Sequence, residues 1–263
     1  VCRDRLKGVY NRYGSVIIPC QFSQIECKDN AYYVTKGKYQ GIYNLYGSVI
    51  VPTQYTSIYK EGGKYLVEND SLKGIVNAYG STVIPCKYNT IEYEDGVYYV
   101  SAGGKYGIYN TSGSTILPCR YSSIRKEGRQ YLVENNGLQG IVNTYGSTII
   151  PCRYNKIQQE GNIYYVTANG KKGIFNRYGS TIIPCQDDEI ISLGHRYIVK
   201  RDKKFGVYNQ YGSTILPCQF QKIECLNNGH YVTTRDKSQQ VYNAYGALLE
   251  NRTNMKVVFS TED

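Results

Sequence analysis

Apolar and polar residues alternate along this chain in short bursts that recur on a fixed beat. Gly140 to Asn143 (Gly-Ile-Val-Asn) is apolar and β-branched, which suits a strand. Asn143-Thr144-Tyr145-Gly146 reads as a turn, because Asn at its first position bonds backbone amides through its side chain and Gly at its last tolerates positive φ. Thr148 to Ile150 is the predicted return strand. Pro151, which has no N–H for a ladder, is predicted to end it. Arg153 to Ile157 begins a third strand, Gln159-Glu160-Gly161-Asn162 is a polar turn, and Ile163 to Val166 is a fourth strand. Asn169-Gly170-Lys171 then turns the chain back into Gly173. No stretch carries the helical period, so the fold is predicted to be all-β.

This 18-residue stretch, GIVNTYGSTIIPCRYNKI, returns along the chain. Copies start at Gly8, Gly41, Gly74, Gly107, Gly140, Gly173 and Gly206, each 33 residues after the last, and a degenerate copy starts 34 residues on at Gln240. Val1, Val34, Val67, Val100, Val133, Val166, Val199 and Val232 keep the same register. Val1 thus reads as the end of a fourth strand, which points to a processed product or a fragment cut within a repeat. A 66-residue period lies over the first. Tyr-Tyr-Val at Tyr32, Tyr98 and Tyr164 alternates with Tyr-Leu-Val at Tyr65 and Tyr131, as duplication of a pair of repeats would produce.

A fixed period of this size is the signature of a repeat architecture. Four short strands per 33-residue unit predict a closed β-propeller of seven or eight blades, with an open β-solenoid as the alternative. The eighth copy has Asn251, Arg252 and Asn254 where the others have Pro, Cys and Tyr, as a cap or a ring-closing unit would. No linker-like stretch interrupts the repeats, so residues 1–263 are expected to form a single array. No apolar run approaches the ~18 residues of a membrane span, and no signal peptide is present in the chain as it stands.

Composition changes this picture in three places. There are 30 Tyr, 5 Phe and no Trp. One set of Tyr precedes the turn Gly (Tyr13, Tyr46, Tyr79, Tyr145, Tyr178, Tyr211, Tyr245), and another follows the Pro-Cys pair (Tyr55, Tyr88, Tyr121, Tyr154). Both sets read first as core rings with satisfied hydroxyls, and second as equivalent aromatic sockets for a sugar or a peptide. Six of the nine Cys share one repeat position (Cys20, Cys86, Cys119, Cys152, Cys185, Cys218), where the second copy has Thr53. Equivalent sites in neighbouring blades lie beyond the ~7 Å a disulfide spans. The reading is therefore small, partly buried, reduced thiols and a reducing, cytoplasmic setting. With two His and no closely spaced Cys pair, no zinc site is expected.

The net charge is +10. Basic residues collect before each copy, at Lys36, Lys38, Lys105, Lys171, Lys172, Lys203 and Lys204. Acidic residues are interleaved, including Asp187, Asp188 and Glu189. A solvated surface accounts for such a pattern; so does a basic face for an acidic partner or a nucleic-acid backbone. No catalytic constellation emerges. The Ser after each turn Gly is a turn residue, and two His cannot serve seven of them as bases. No cofactor motif is present, since Gly62-Gly63 and Gly103-Gly104 lack a phosphate-loop context.

The unit Gly-[Ile/Val]-x-Asn-x-x-Gly-x-x-[Ile/Val]-[Ile/Leu/Val]-Pro-x-x-[Tyr/Phe]-x-x-Ile resembles the WG-repeat family of tandem β repeats, over nearly the whole chain. The family's Trp before the first Gly is replaced, by Lys73, Tyr106, Lys172 and Phe205 among others, and its Asp after the first strand is Asn here. The resemblance implies an interaction module. The expected function is non-enzymatic protein binding through loops on one face, with the seven lysines named above as the contact set. A lectin-like module with tyrosine sockets and a basic nucleic-acid scaffold are the alternatives.

Overall fold

The computed structural model describes residues 2–3, 5–236 and 238–252. Val1, and Asn254 of the eighth copy, lie outside the described residues. Described strands form seven four-stranded antiparallel sheets and one three-stranded sheet, each a simple up-and-down meander. The chain divides into two compact units, residues 1–135 with 144–146 and residues 136–143 with 147–263. Among the described residues no helix is long and apolar enough to cross a membrane.

Sheets and sequence copies are out of phase by half a repeat. One sheet of the second unit runs Lys156–Glu160, Ile163–Ala168, Lys171–Asn176, Thr181–Asp187. Its first two strands close one copy of the motif and its last two open the next. Within each unit, the third and fourth strands of one sheet lie against the first and second strands of the next. The third strand is consequently buried on both faces, at Gly173, Ile174 and Phe175, instead of alternating. Ile174, Ile183, Tyr197 and Val199 form the core between this sheet and its successor.

The fourth strand does not end at Pro151. It runs Thr148–Tyr154, and the next strand begins only at Lys156. Proline is tolerated because this strand is the sheet edge, where one N–H fewer breaks no ladder. Ile141 pairs with Ile150 and Gln139 with Tyr154, so Gly140 alone faces Pro151, Cys152 and Arg153 across a bulge. The bulge explains the motif's first glycine. A Cβ on Gly140 would lie 2.7 Å from Cys152 N and 2.9 Å from Ile150 O. The eighth copy supports this from the opposite direction. It has Gln240 in place of the glycine and no Pro-Cys, and Gln240 there pairs directly with Asn251 in an unbulged register.

The second motif glycine holds one sheet on the next. The Asn77 side chain accepts the N–H groups of Tyr79 and Ser81, both at 2.9 Å, which locks the turn as its sequence predicts. Gly80 sits at φ +91°, and a Cβ there would come 2.6 Å from the carbonyl oxygen of Ile50 on the preceding sheet's edge strand. The contact recurs along both units, as for Gly179 on Ile149 and Gly212 on Ile182.

Gly80→Ala is expected to cost well over the ~1 kcal/mol that left-handed backbone alone costs a residue with a Cβ. Gly14 has φ +85° but no atom within 4 Å of an added Cβ, so Gly14→Ala should cost only about that ~1 kcal/mol. Tyr79→Phe should change stability by less than ~0.5 kcal/mol. Urea unfolding of the three variants checks this, and equal costs at the two glycines would contradict the inter-sheet contact.

Candidate functional site

The two tyrosine sets have opposite fates. Tyr55, Tyr88, Tyr121 and Tyr154, after the Pro-Cys pair, are buried as expected. Several pack edge-on against a ring of the next sheet's third strand, Tyr88 on Tyr109 and Tyr154 on Phe175, with centroids 5.9 and 5.7 Å apart. The Tyr88 and Tyr109 hydroxyls are 2.7 Å apart, and burial pushes the Tyr88 hydroxyl well above its usual range. These ring pairs fall at alternate inter-sheet cores. Val76 takes the place of the second ring opposite Tyr55, as the 66-residue period requires.

The turn tyrosines are not packing residues. Tyr13, Tyr46, Tyr79, Tyr145, Tyr178, Tyr211 and Tyr245 are 70–91% exposed. The turn explains why. Its Asn is spent on the backbone and its Gly takes the left-handed position, which leaves the Tyr before the Gly outside. Only the turn at Asn110 has Ser112 instead. The position just before each Tyr has drifted through Arg12, Leu45, Ala78, Thr144, Arg177 and Gln210, while the Tyr has stayed. Two of these neighbours lie over the ring: the Arg12 and Arg177 guanidiniums sit 4.6 and 4.5 Å from the centroids of Tyr13 and Tyr178, and each donates to the tyrosine hydroxyl.

The candidate lysines lie at the other end of each sheet, at the turn between second and third strands. Lys36 closes the strand Ala31–Lys36, Lys105 opens Lys105–Asn110, Lys171 and Lys172 open Lys171–Asn176, and Lys204 opens Lys204–Asn209. Lys38 and Lys203 are in the turns proper. Several are engaged. Lys38 pairs with Asp70 at 3.4 Å, and Lys171 pairs with Asp188 at 2.6 Å and Asp202 at 3.9 Å. Lys36 and Lys105 donate to Gln21 and Asn135 at 3.5 and 3.3 Å. Their acidic partners hold Lys38 and Lys171 above the usual lysine range, and Lys171 with the Asp202 amide holds Asp188 below the usual carboxylate range.

None of the eight cysteines whose side chains are described is in a disulfide. At the repeat position the thiol does more than fill space. Cys86, Cys119, Cys152, Cys185 and Cys218 each donate from Sγ to the carbonyl opening the third strand, at 2.7–3.1 Å. Burial pushes the Cys86, Cys185 and Cys218 thiols up. Among the described residues no group of three or more His, Cys, Asp or Glu comes together to hold a metal ion.

One departure from the repeat is buried. Asp187 replaces the aromatic ring of the sixth copy and is fully inaccessible. It pairs with Arg201 at 2.9 Å, while its Oδ2 has no hydrogen-bond partner. Burial pushes the Asp187 carboxyl up, against the pull of Arg201. Where the repeat has Tyr154 and Phe175, the residue equivalent to Arg201 is Ala168.

Residues 74–106 and 106–138 match the model of the WG containing repeat. The chain carries WG repeats. The matched residues are two consecutive periods, and the glycines, asparagine and proline that define the bulge and the turn recur beyond them. No curated protein matches the sequence. Among solved structures, PorZ of Porphyromonas gingivalis is 8% identical over 91% of this chain and 38% of its own, with a TM-score of 0.27. Kluyveromyces lactis Hsv2p is 12% identical over 88% of this chain and 97% of its own, at 0.24. The AfRom2 CNH domain is 10% identical over 84% and 93%, at 0.26. The WG-repeat chain thus spans 38% of PorZ. Scores this low carry no argument about fold or function.

Arg201→Ala is expected to lower stability by about 3 kcal/mol, the lower end for breaking a buried pair, since Arg201 keeps some contact with water. The double change Asp187→Tyr with Arg201→Ala rebuilds the Tyr154–Phe175–Ala168 arrangement against Tyr208. It should raise stability above the parent by about 1–4 kcal/mol. Chemical denaturation checks both, and a double variant weaker than the parent would show that the pair stabilises the sheet stack.

Proposed function

We propose that this WG-repeat chain is a non-enzymatic, multivalent binding module whose contact surface is the set of tyrosine-bearing turns. We further propose that its ligand is a carbohydrate. The observation that carries this is the exposure of seven equivalent tyrosines on turns held rigid by Asn and Gly. Exposed rings with no packing role suit recognition, and rigid scaffolds present such groups at low entropic cost.

The tyrosines and the lysine clusters sit at opposite ends of each sheet, which bears on the alternatives. A single-stranded nucleic acid needs stacking rings and phosphate-binding cations in one groove. A protein partner remains the second reading, because exposed tyrosines also anchor protein interfaces. The basic turns favour it less than their charge suggests, since Lys38 and Lys171 are already ion-paired.

The proposal extends to architecture: the tandem sheets form a single array over residues 1–263 that closes as a propeller of seven or eight blades, with the solenoid as the alternative. The seven intact copies and the divergent eighth support it. Small-angle scattering should then give a radius of gyration near ~18 Å, the value for a compact chain of this length. A markedly larger value with a rod-like profile contradicts closure.

A glycan array followed by titration tests the function. Combined Tyr46→Ala, Tyr79→Ala, Tyr178→Ala and Tyr211→Ala should leave folding intact and weaken binding at least tenfold. Charge reversal at Lys171, Lys172, Lys203 and Lys204 should leave affinity within about twofold. Loss on charge reversal with no effect of the tyrosine changes would overturn this reading.

A further inference from the structure

One gap between neighbouring sheets of the second unit holds a larger cavity than an equivalent gap of the first unit and opens beside two of the exposed tyrosines. It is a groove of about 680 Å³ between the sheet ending at Asp187 and the next, with Tyr178 and Tyr211 from successive turns at its mouth. Ile163 and Tyr197 also line it. Tyr197 is buried, and burial pushes its hydroxyl up.

One repeat position separates this gap from two of its equivalents, although Ala31 and Val97 carry no bridging group there either. The residue that begins the second strand of each sheet stands beside it. Lys64 holds that position in the first unit, and its Nζ reaches across to donate to Thr111 O at 2.8 Å and Tyr98 Oη at 3.1 Å. The cavity at that gap is about 420 Å³. Arg196 holds the position one sheet after the groove, donating to Gly229 O at 2.9 Å with its guanidinium 5.4 Å from the Tyr231 centroid. At the groove the residue is Ile163, which can neither span the gap nor bond the far side.

The lining chemistry selects among ligands. Glu160 and Arg177 contribute one charge of each sign, and Asn162 and Gln210 contribute amides. His195 Nδ1 lies 2.7 Å from Gln210 Oε1, and Arg177 is stacked on Tyr178, so both are held in place. Amides donate and accept, the carboxylate accepts and the guanidinium donates, which matches hydroxyl groups that must do both. Tyrosine faces suit the C–H face of a pyranose ring. A phosphate or sulfate would meet Glu160 with no surplus of positive charge. Thr181 and Ile182 of the edge strand line the groove, but the Gly212 turn lies against the Ile182 carbonyl and so covers that edge against an added peptide strand.

We propose that this groove is a subsite for a neutral pyranose unit of an oligosaccharide. It rests on the tyrosine-turn reading above and assigns that reading its principal site. The test is calorimetric titration of the full chain with cellohexaose, xylohexaose, mannohexaose and chitohexaose, with decaproline as the peptide probe. At least one hexasaccharide should bind. Ile163→Lys, which recreates the Lys64 bridge, and Tyr211→Ala should each weaken it about tenfold or more, while Lys172→Ala, at the far end of the sheet, should change it less than twofold. If Ile163→Lys fails to fold, the surface changes Tyr178→Ala and Tyr211→Ala carry the test. Saccharide binding that these changes leave untouched overturns the subsite and spares the tyrosine-turn reading. Binding of none of the four hexasaccharides overturns both. Decaproline binding that is lost in Ile163→Lys, without saccharide binding, assigns the groove to a peptide and overturns the sugar.

Discussion

The structure depends on one contact, a turn glycine set against an edge carbonyl of the preceding sheet. A four-stranded meander leaves its fourth strand unpaired on one side, and an unpaired edge invites pairing with other chains. Here the next sheet brings a turn close over that edge, with Gly80 on Ile50 and Gly179 on Ile149 as examples. The approach tolerates no Cβ and the turn demands positive φ, so glycine satisfies two requirements at once. The Asn cage then fixes the turn, and the Tyr just before the Gly is pushed into solvent. The exposure of the tyrosines follows from this turn, and Tyr13 keeps it even where the turn glycine, Gly14, meets no preceding sheet.

The other motif glycine answers a separate constraint. Gly140 lies under the bulge that Pro151 and Cys152 make, and the eighth copy loses glycine, proline and bulge together. Motif residues that look independent in the sequence are thus two sets, one for the bulge and one for the turn. The buried Asp187–Arg201 pair shows that a core site can be rewritten within this frame, provided both partners change.

Much of this was legible in the sequence. The period, the four strands, the Asn-Gly turn and the all-β class follow from apolar spacing and turn chemistry, which are local properties. What was not legible depends on neighbours. Pro151 reads as a strand end, but an edge strand tolerates it. Lys171 and Lys204 read as loop residues, but their strands extend one residue or more toward the turn. The turn tyrosines read as core because aromatic residues are usually buried. Only the folded turn and the packing of the sheets show that Tyr145 and Tyr154, nine residues apart in one repeat, face solvent and core respectively. The groove at Ile163 was not legible, because Ala31 and Val97 stand at the same repeat position and the sequence alone does not show what Lys64 and Arg196 reach there.

The central claim is that the tyrosine-bearing turns, and not the basic turns at the other end of each sheet, form the contact surface. Chemical footprinting tests it most directly, with tyrosine nitration and lysine acetylation mapped by mass spectrometry, with and without saturating saccharide. The account predicts that ligand protects Tyr178 and Tyr211 most strongly and leaves Lys36, Lys172 and Lys203 as reactive as before. Protection of the lysines with the turn tyrosines still fully reactive would contradict it.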